Sequence, residues 1–131
     1  INCRDIKFDI FTKDNNAISI IDLFANRENT SHLRLVLDKI KNRFIVQRIK
    51  TGIEFEDEFG TERSCNLKAE KSISIRIIQD ISSAEIFINN GENVFTMRVF
   101  VPKDQYHIFV KNLNGEVKVQ YKIHQLREMN S

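Results

Sequence analysis

Histidine, cysteine and clustered carboxylates are the residue types that most often do chemistry in proteins. The three histidines, His32, His107 and His124, stand apart from one another, each within or beside a strand-like pattern. Single histidines without ligand-type neighbours favour strand or surface positions over a metal site. Cys3 and Cys65 have no metal-binding spacing, which favours two thiols in a reducing compartment over one disulfide.

The densest run of carboxylates is "EFEDEFG", residues 54–60. It lacks the regular ligand spacing of a calcium loop, so an acidic edge strand or hairpin is the better interpretation, because charged edges suppress edge-to-edge pairing of sheets. The four glycines are isolated, which excludes a glycine-rich phosphate loop, and there is no Gly-x-Ser-x-Gly motif. The sequence therefore predicts no catalytic residue, no cofactor or cofactor-binding residue, and no metal ligand.

The composition is that of an ordinary globular domain. The chain has 131 residues, 41% hydrophobic and 29% charged, and 20 basic residues nearly balance 18 acidic ones. This balance argues against nucleic acid as a partner, and no apolar run approaches the roughly 18 residues of a membrane span. No secretory signal opens the chain, which begins at Ile1, so we expect a piece of a longer protein or a processed product.

Short runs of alternating apolar and polar residues recur along the whole chain. This period of two is typical of strands with one buried face, and turn-like residues separate the runs at spacings of roughly 8–12. We expect strands within residues 6–10, 17–24, 33–37, 44–49, 53–56, 73–77, 84–88, 95–99, 106–110 and 117–123, and a final helical turn in residues 124–131. Such a series predicts one all-β domain, an antiparallel sandwich or barrel, over residues 1–131.

Two Asn-Gly pairs mark structural turns, at Asn90-Gly91 and at Asn114-Gly115. The first lies between two alternating runs within residues 82–100 and predicts a hairpin with a type I′ turn, which needs φ > 0 at both central residues. We expect the second pair to be equally sensitive to substitution.

Residues 75–100, "IRIIQDISSAEIFINNGENVFTMRVF", resemble the signature of the C-terminal β-sandwich of family 32 glycoside hydrolases. That signature is a hydrophobic strand followed by Asp-Arg-Ser-Ser-Val-Glu, an apolar alternation, Asn-Asp-Gly, and a strand ending near Arg-Ile-Phe. The residues that match it in order are Asp80, Ser82, Ser83, Glu85, Phe87, Asn89, Gly91, Glu92, Thr96, Arg98 and Phe100. "NRFIVQRIKTG" (42–52) and "FGTERSCNL" (59–67) resemble neighbouring segments, so the likeness spans about residues 32–123. The chain departs from the pattern at Gln47, Ile81 and Ala84.

The resemblance implies an antiparallel two-sheet β-sandwich, a lectin- or concanavalin-like jelly roll. It also implies a parent β-fructofuranosidase, such as a sucrose or sucrose-6-phosphate hydrolase, that uses two carboxylates in a retaining mechanism. In that family the catalytic groups lie on a separate N-terminal propeller, in motifs such as Asn-Asp-Pro-Asn and Arg-Asp-Pro. Neither motif is possible here, because the sole proline, Pro102, lies in "VPK". Glu85 and Glu92 fall on the non-catalytic signature, so a structural role outweighs an acid/base role.

We therefore expect a non-catalytic C-terminal module that packs against and stabilises the propeller and aids dimerisation. The alternative is an autonomous lectin-like carbohydrate-binding module, which the 10 Phe, 2 Tyr and absence of Trp make less favourable, because sugar platforms usually need exposed Trp or Tyr rings. Calorimetry with sucrose, inulin and levan would separate the two.

The predicted partners are the propeller of the same polypeptide and a second copy of the chain, without nucleic acid or membrane. Strict alternation places Glu85 and Phe87 opposite the core, so we expect them at the interface with the propeller or with a second copy. The alternative is that a loop or terminal segment of this chain covers that face. The resemblance and the thiols favour a bacterial cytoplasmic location.

Overall fold

The structure is a computed structural model that describes residues 3–30, 32–49, 54–55, 62–68, 70–80, 83–101 and 104–126. These residues form eleven strands: β1 (Cys3–Phe11), β2 (Ile18–Ala25), β3 (His32–Asp38), β4 (Arg43–Ile49), β5 (Glu54–Phe55), β6 (Glu62–Asn66), β7 (Ser72–Gln79), β8 (Ser83–Ile88), β9 (Asn93–Phe100), β10 (His107–Asn114) and β11 (Lys118–Leu126).

Two antiparallel sheets face each other. One has six strands in the order β11-β1-β7-β8-β9-β5, and the other has five in the order β10-β2-β3-β4-β6. Each sheet contains one run of three strands that are consecutive in sequence: β7-β8-β9 in one and β2-β3-β4 in the other. Short turns join these strands, so neighbours in sequence pair in the sheet, and the alternation gives each strand one apolar face. The predicted two-sheet β-sandwich is confirmed.

The core lies between the inner faces of the two sheets. Inward side chains such as Ile6, Ile77 and Ile86 in the six-stranded sheet are fully buried, as is Phe44 in the other sheet. The ring of Phe44 lies 5.7 Å from that of Phe95 across the sandwich. One continuous cluster of buried side chains therefore joins both sheets.

Strand β2 breaks the regular alternation near its end. Phe24 has a positive φ of 52°, which non-glycine residues rarely adopt, and it is buried directly after the buried Leu23. The pairing of β10 with β2 shifts register in the same region, between His107 and Phe109. The alternation in the sequence therefore does not predict, for every residue of β2, which face of the sheet its side chain lies on.

The hairpin between β8 and β9 is present, with a longer turn than the sequence predicted. Ile88 pairs with Asn93, so residues 89–92 form the loop. Asn89, Asn90 and Gly91 have φ values of 50°, 58° and 95°, and the Gly91 amide donates to the Ile88 carbonyl oxygen over 3.1 Å. The central residues of the tight turn are thus Asn89 and Asn90, and Gly91 adds a third positive φ.

The second Asn-Gly pair lies between the sheets. It connects β10 in the five-stranded sheet to β11 in the six-stranded sheet. Gly115 has a φ of 72°, but Asn114 is not among the described residues with positive φ, so this turn is not of type I′. The Thr12 hydroxyl donates to the Glu116 carbonyl oxygen, and the Glu116 amide donates to Asp14 Oδ2, each over 2.7 Å. These bonds hold the link between the sheets.

The expected final helical turn in residues 124–131 is wrong for its first three residues. Strand β11 continues through them because it pairs with β1 along its whole length, from Lys118 opposite Phe11 to Leu126 opposite Cys3. Residues 127–131 lie outside the described part of the chain.

Candidate functional site

The three histidines lie on three different strands, β3, β10 and β11. His32 is buried at the start of β3, His107 stacks on Tyr106 with ring centroids 4.4 Å apart, and His124 is exposed on β11. The part of the chain that the structure describes contains no group of three or more His, Cys, Asp or Glu side chains that could hold a metal ion.

The most connected polar cluster surrounds the carboxylate of Asp22. Arg34 donates to it twice, from Nε over 2.9 Å and from Nη2 over 3.2 Å, and Asn29 Nδ2 donates over 3.0 Å. His32 Nε2 lies 3.5 Å from Asp22 Oδ1. These contacts tie the loop between β2 and β3 to the outer face of the five-stranded sheet, and a carboxylate so occupied is a structural anchor.

Burial and hydrogen bonding oppose each other at this cluster. Burial would raise the pKa of Asp22, but the hydrogen bonds from Arg34 and Asn29 outweigh it and hold that pKa below its ordinary value. Burial lowers the pKa of His32, although the nearby carboxylate of Asp22 works in the opposite direction. The lowered pKa favours the neutral imidazole of His32, the form that burial penalises least.

The two cysteines lie in different sheets, Cys3 on β1 and Cys65 on β6, and form no disulfide within the described residues. Cys3 Sγ donates to Asp80 Oδ1 over 3.4 Å. Burial raises the pKa of the Cys65 thiol, so this side chain is a poor nucleophile. Of the acidic stretch, only Glu54 and Phe55 fall within the description, as the short edge strand β5; the remaining carboxylates lie outside it.

The predicted interface residues Glu85 and Phe87 lie on the outer face of the six-stranded sheet. Glu85 is exposed and Phe87 is partly exposed. Pairing registers place Phe87 in one row across this face; in order across the sheet, the row is Lys122, Lys7, Arg76, Phe87 and Val94. The surroundings of Phe87 are therefore charged on one side and apolar on the other.

A shallow pocket of about 350 Å³ lies along this row. Phe87, Arg76, Lys7 and Asp9 contribute to its lining, and so does Asn90 from the hairpin turn. The sequence predicted the turn residue and the outward side chain of Phe87, but it gave no signal for the basic and acidic neighbours, which reach the pocket from other strands.

Two side chains on the inner face of β11 are exposed to solvent. Tyr121 is 68% exposed, although its cross-strand partner Phe8 is only 1% exposed and the two ring centroids lie 6.4 Å apart. Ile123 is 43% exposed beside its fully buried partner Ile6. Paired residues share a face of the sheet, so these exposed side chains point toward the core side of the sandwich.

The neighbouring strand of the other sheet is open in the same way. Val110 on β10 is 42% exposed, whereas its partner Ile21 on β2 is buried. Five of the nine exposed large apolar side chains among the described residues lie on β10 or β11; they are Phe109, Val110, Leu113, Tyr121 and Ile123. We call Val110, Tyr121 and Ile123 the open edge. Sequence reasoning missed it because alternation alone does not show which strands end a sheet.

No helix in the described ranges is long and apolar enough to span a lipid bilayer.

Comparison with known proteins agrees with this architecture. Residues 3–125 match the family model described as "Glycosyl hydrolases family 32 C terminal". The chain is 36% identical over 101 residues to the sucrose-6-phosphate hydrolase of Streptococcus mutans serotype c, which covers 77% of this chain and 21% of that protein. It is thus similar to about a fifth of that relative.

Two solved structures share the fold. The exo-inulinase from Aspergillus awamori superposes with a TM-score of 0.80 at 20% identity, and the sucrose-6-phosphate hydrolase from Lactobacillus gasseri with a TM-score of 0.79 at 19% identity. Each match covers 96% of this chain and 25% of the other chain. The predicted resemblance is confirmed: the chain belongs to the family of C-terminal domains of family 32 glycosyl hydrolases.

Proposed function

We propose that the chain is the non-catalytic C-terminal module of a β-fructofuranosidase that hydrolyses sucrose or sucrose 6-phosphate, and that it packs against and stabilises the catalytic propeller. Two facts support the proposal. The family match covers residues 3–125, and the chain covers 21% of the Streptococcus mutans relative and 25% of the Lactobacillus gasseri chain. Neither proline-containing propeller motif occurs in the sequence.

The observation that carries the docking proposal is the open edge. Val110, Tyr121 and Ile123 lie on the inner faces of the two sheets, where the alternation elsewhere buries apolar side chains. Fully burying an exposed side chain of this size contributes about 1.5–3 kcal/mol, and covering one that is already half buried contributes about half of that. Exposed apolar side chains gathered on the two strands that end the sheets are the kind of surface that marks an interaction site. The propeller is the occupant we propose.

The outer face around Glu85 and Phe87 stays the other predicted docking surface. It offers less apolar area, because Phe87 is already partly buried and Arg76 beside it is paired with Asp5 over 2.7 Å. An interface there would have to desolvate this ion pair, and the gain from pairing seldom exceeds that cost. The open edge involves no such cost.

Dimerisation and a bacterial cytoplasmic location belong to the same proposal. Bacterial proteins named sucrose-6-phosphate hydrolase are the relatives, and a phosphorylated disaccharide is a substrate expected inside the cell. The thiols of Cys3 and Cys65 suit a reducing compartment. A second copy of the chain would use whichever of the two surfaces the propeller leaves free.

The test begins with the reading frame that encodes the chain. A catalytic module containing an Asn-Asp-Pro-Asn-type motif upstream of Ile1 is expected, and its absence would contradict the proposed function. In the complete polypeptide, the double variant Tyr121→Ser, Ile123→Ser is then compared with Phe87→Ser. We expect the edge variant to lower the thermal midpoint of sucrose hydrolysis by several degrees and the Phe87 variant to change it little. The reverse order would assign docking to the outer face and leave the module's role intact.

A further inference from the structure

The pocket beside Phe87 is large enough for a small ligand and plays no part in the docking edge. Its volume of about 350 Å³ lies at the lower end of the range for ligand sites, about 300–1,000 Å³. It lies on the outer face of the six-stranded sheet, whereas the open edge belongs to the inner faces of β10 and β11.

Arg76 and the hairpin turn beside the pocket are held by hydrogen bonds. Arg76 forms a two-pronged pair with Asp5, Nε to Oδ1 over 3.0 Å and Nη2 to Oδ2 over 2.7 Å, and Nη1 takes no part in that pair. The Ser74 amide donates to Asn89 Oδ1 over 3.1 Å, which ties the hairpin turn to β7. Asn90 follows in the same turn with a positive φ. Ordering these groups before binding lowers the entropic cost of taking up a ligand.

The charges in and around the pocket balance. Lys7 and Arg76 bring two positive charges, and Asp5 and Asp9 bring two negative ones. A balanced site favours neither an anion nor a cation. Its donors and acceptors instead alternate over a short distance: Lys7 donates, Asp9 accepts, and the Ser74 hydroxyl and the Asn90 amide can do both.

One aromatic side chain completes the lining. Phe87 is partly exposed at the pocket, although the inward residues of β8 fill the core without it. An apolar ring next to alternating donors and acceptors matches a sugar ring, which presents C–H groups on its face and hydroxyl groups around its rim. We propose that this pocket binds a neutral saccharide ring, with Phe87 against the face of the sugar and Lys7, Asp9, Arg76 and Asn90 hydrogen-bonded to its hydroxyl groups.

The inference goes beyond the proposed module function and does not depend on it. The direct test is an NMR titration of the ¹⁵N-labelled 131-residue chain with sucrose and with a levan-type fructo-oligosaccharide. Saturable shifts centred on the amides of Lys7, Ser74, Phe87 and Asn90 are expected. Because this measurement uses the unsubstituted chain, it remains decisive even if a variant fails to fold.

Two variants at neighbouring positions of one row then locate the sugar. Phe87→Ala is expected to weaken saccharide binding about tenfold, the effect of losing about 1.4 kcal/mol of ring contact. Val94→Ala is the matched control, because Val94 pairs with Phe87 on the same face and is exposed outside the pocket lining. It is expected to leave the affinity unchanged.

Glucose 6-phosphate serves as the anionic probe in the same titration. Binding of both neutral saccharides at these amides, with loss in Phe87→Ala, supports the inference. Absence of saturable shifts with both saccharides would overturn it. Tighter binding of glucose 6-phosphate that Phe87→Ala does not weaken would also overturn it, since the pocket would then be an anion site.

Discussion

Two isoleucines on either side of Ile6 show how the same sequence pattern can have opposite outcomes. Ile77 on β7 and Ile123 on β11 both pair with Ile6 and share its face of the sheet. Ile77 is completely buried, whereas Ile123 is 43% exposed. Both strands alternate equally well, so alternation specifies which way a side chain points, and only the position of the strand in the sheet decides whether anything covers it.

The open edge extends this difference across both sheets. β10 and β11 end their respective sheets on the same side, because the short link at residues 115–117 joins them. Three of their inward side chains, Val110, Tyr121 and Ile123, are therefore exposed to solvent on the same side of the sandwich. In our account a catalytic module covers this edge, and the center of the sandwich needs no such partner.

The largest expected effect separates the two isoleucines. In the 131-residue chain, Ile77→Ala should lower the free energy of unfolding by about 2–5 kcal/mol, because it opens a cavity in a close-packed core. Ile123→Ala should cost less than about 1 kcal/mol, since the side chain is already half exposed. Urea denaturation of both variants measures this. Equal losses would mean that residues of the chain itself cover the edge.

The next effect compares the hairpin turn with the link at the edge. A β-carbon at Gly115 would lie 2.9 Å from Asp14 Cβ, whereas the space around Gly91 is open. Both positions have positive φ, so Gly91→Val should cost about 1–3 kcal/mol from backbone strain and Gly115→Val should cost more. Denaturation midpoints rank the two. A midpoint for Gly91→Val equal to that of the unsubstituted chain would mean that the turn tolerates a branched side chain at positive φ.

These turns also show how much of the molecule could be predicted. Alternation around Ile75, Ile86 and Leu35 predicted the strands and their buried faces, because local periodicity determines facing. It left a sandwich or a barrel open, and the family resemblance indicated the two-sheet sandwich. Alternation could not predict that Gly91 lies in a hairpin whereas Gly115 lies in a link between the two sheets. That difference depends on which distant strands pair with each other.

The candidate sites were less predictable for the same reason. The pocket collects Lys7, Arg76 and Phe87 from three strands, and their alignment depends on registers that no local pattern encodes. The sequence did place Phe87 on the outer face. It could not show that Tyr121 would be exposed on an inner face, because the order of strands in a sheet is a long-range property.

A smaller effect distinguishes the buried His32 from His124 on the edge strand. Burial lowers the pKa of His32 in the folded chain, so the unfolded chain binds the proton more readily. The free energy of unfolding should therefore fall as the pH drops below about 6.5, the unfolded value, until the pH passes the folded pKa. Asp22 faces this ring and weakens the effect, and Arg34 strengthens it.

Denaturation of His32→Gln and His124→Gln between pH 7 and pH 5 tests this slope, a range of about two units around the ordinary histidine pKa. We expect His32→Gln to flatten the pH dependence and His124→Gln to keep it. If the pH dependence of the free energy of unfolding persists in His32→Gln, another titrating group causes it.

The last prediction concerns catalysis: we expect the 131-residue chain alone to have no hydrolytic activity. The purified 131-residue chain should release no fructose from sucrose or sucrose 6-phosphate above a buffer control. The reason is that the sequence lacks the Asn-Asp-Pro-Asn and Arg-Asp-Pro motifs of the catalytic propeller. Release that survives further purification would place catalytic groups on the sandwich itself.

Hydroxyl-radical footprinting reports directly on whether the open edge is covered. The oxidation rate of Tyr121 is measured in the 131-residue chain and in the complete polypeptide, with Phe87 as the internal comparison. We expect Tyr121, exposed in the chain, to become strongly protected in the complete polypeptide while Phe87 reacts at the same rate in both. An unchanged rate at Tyr121 would contradict docking at the open edge, and protection of Phe87 alone would assign the interface to the outer face.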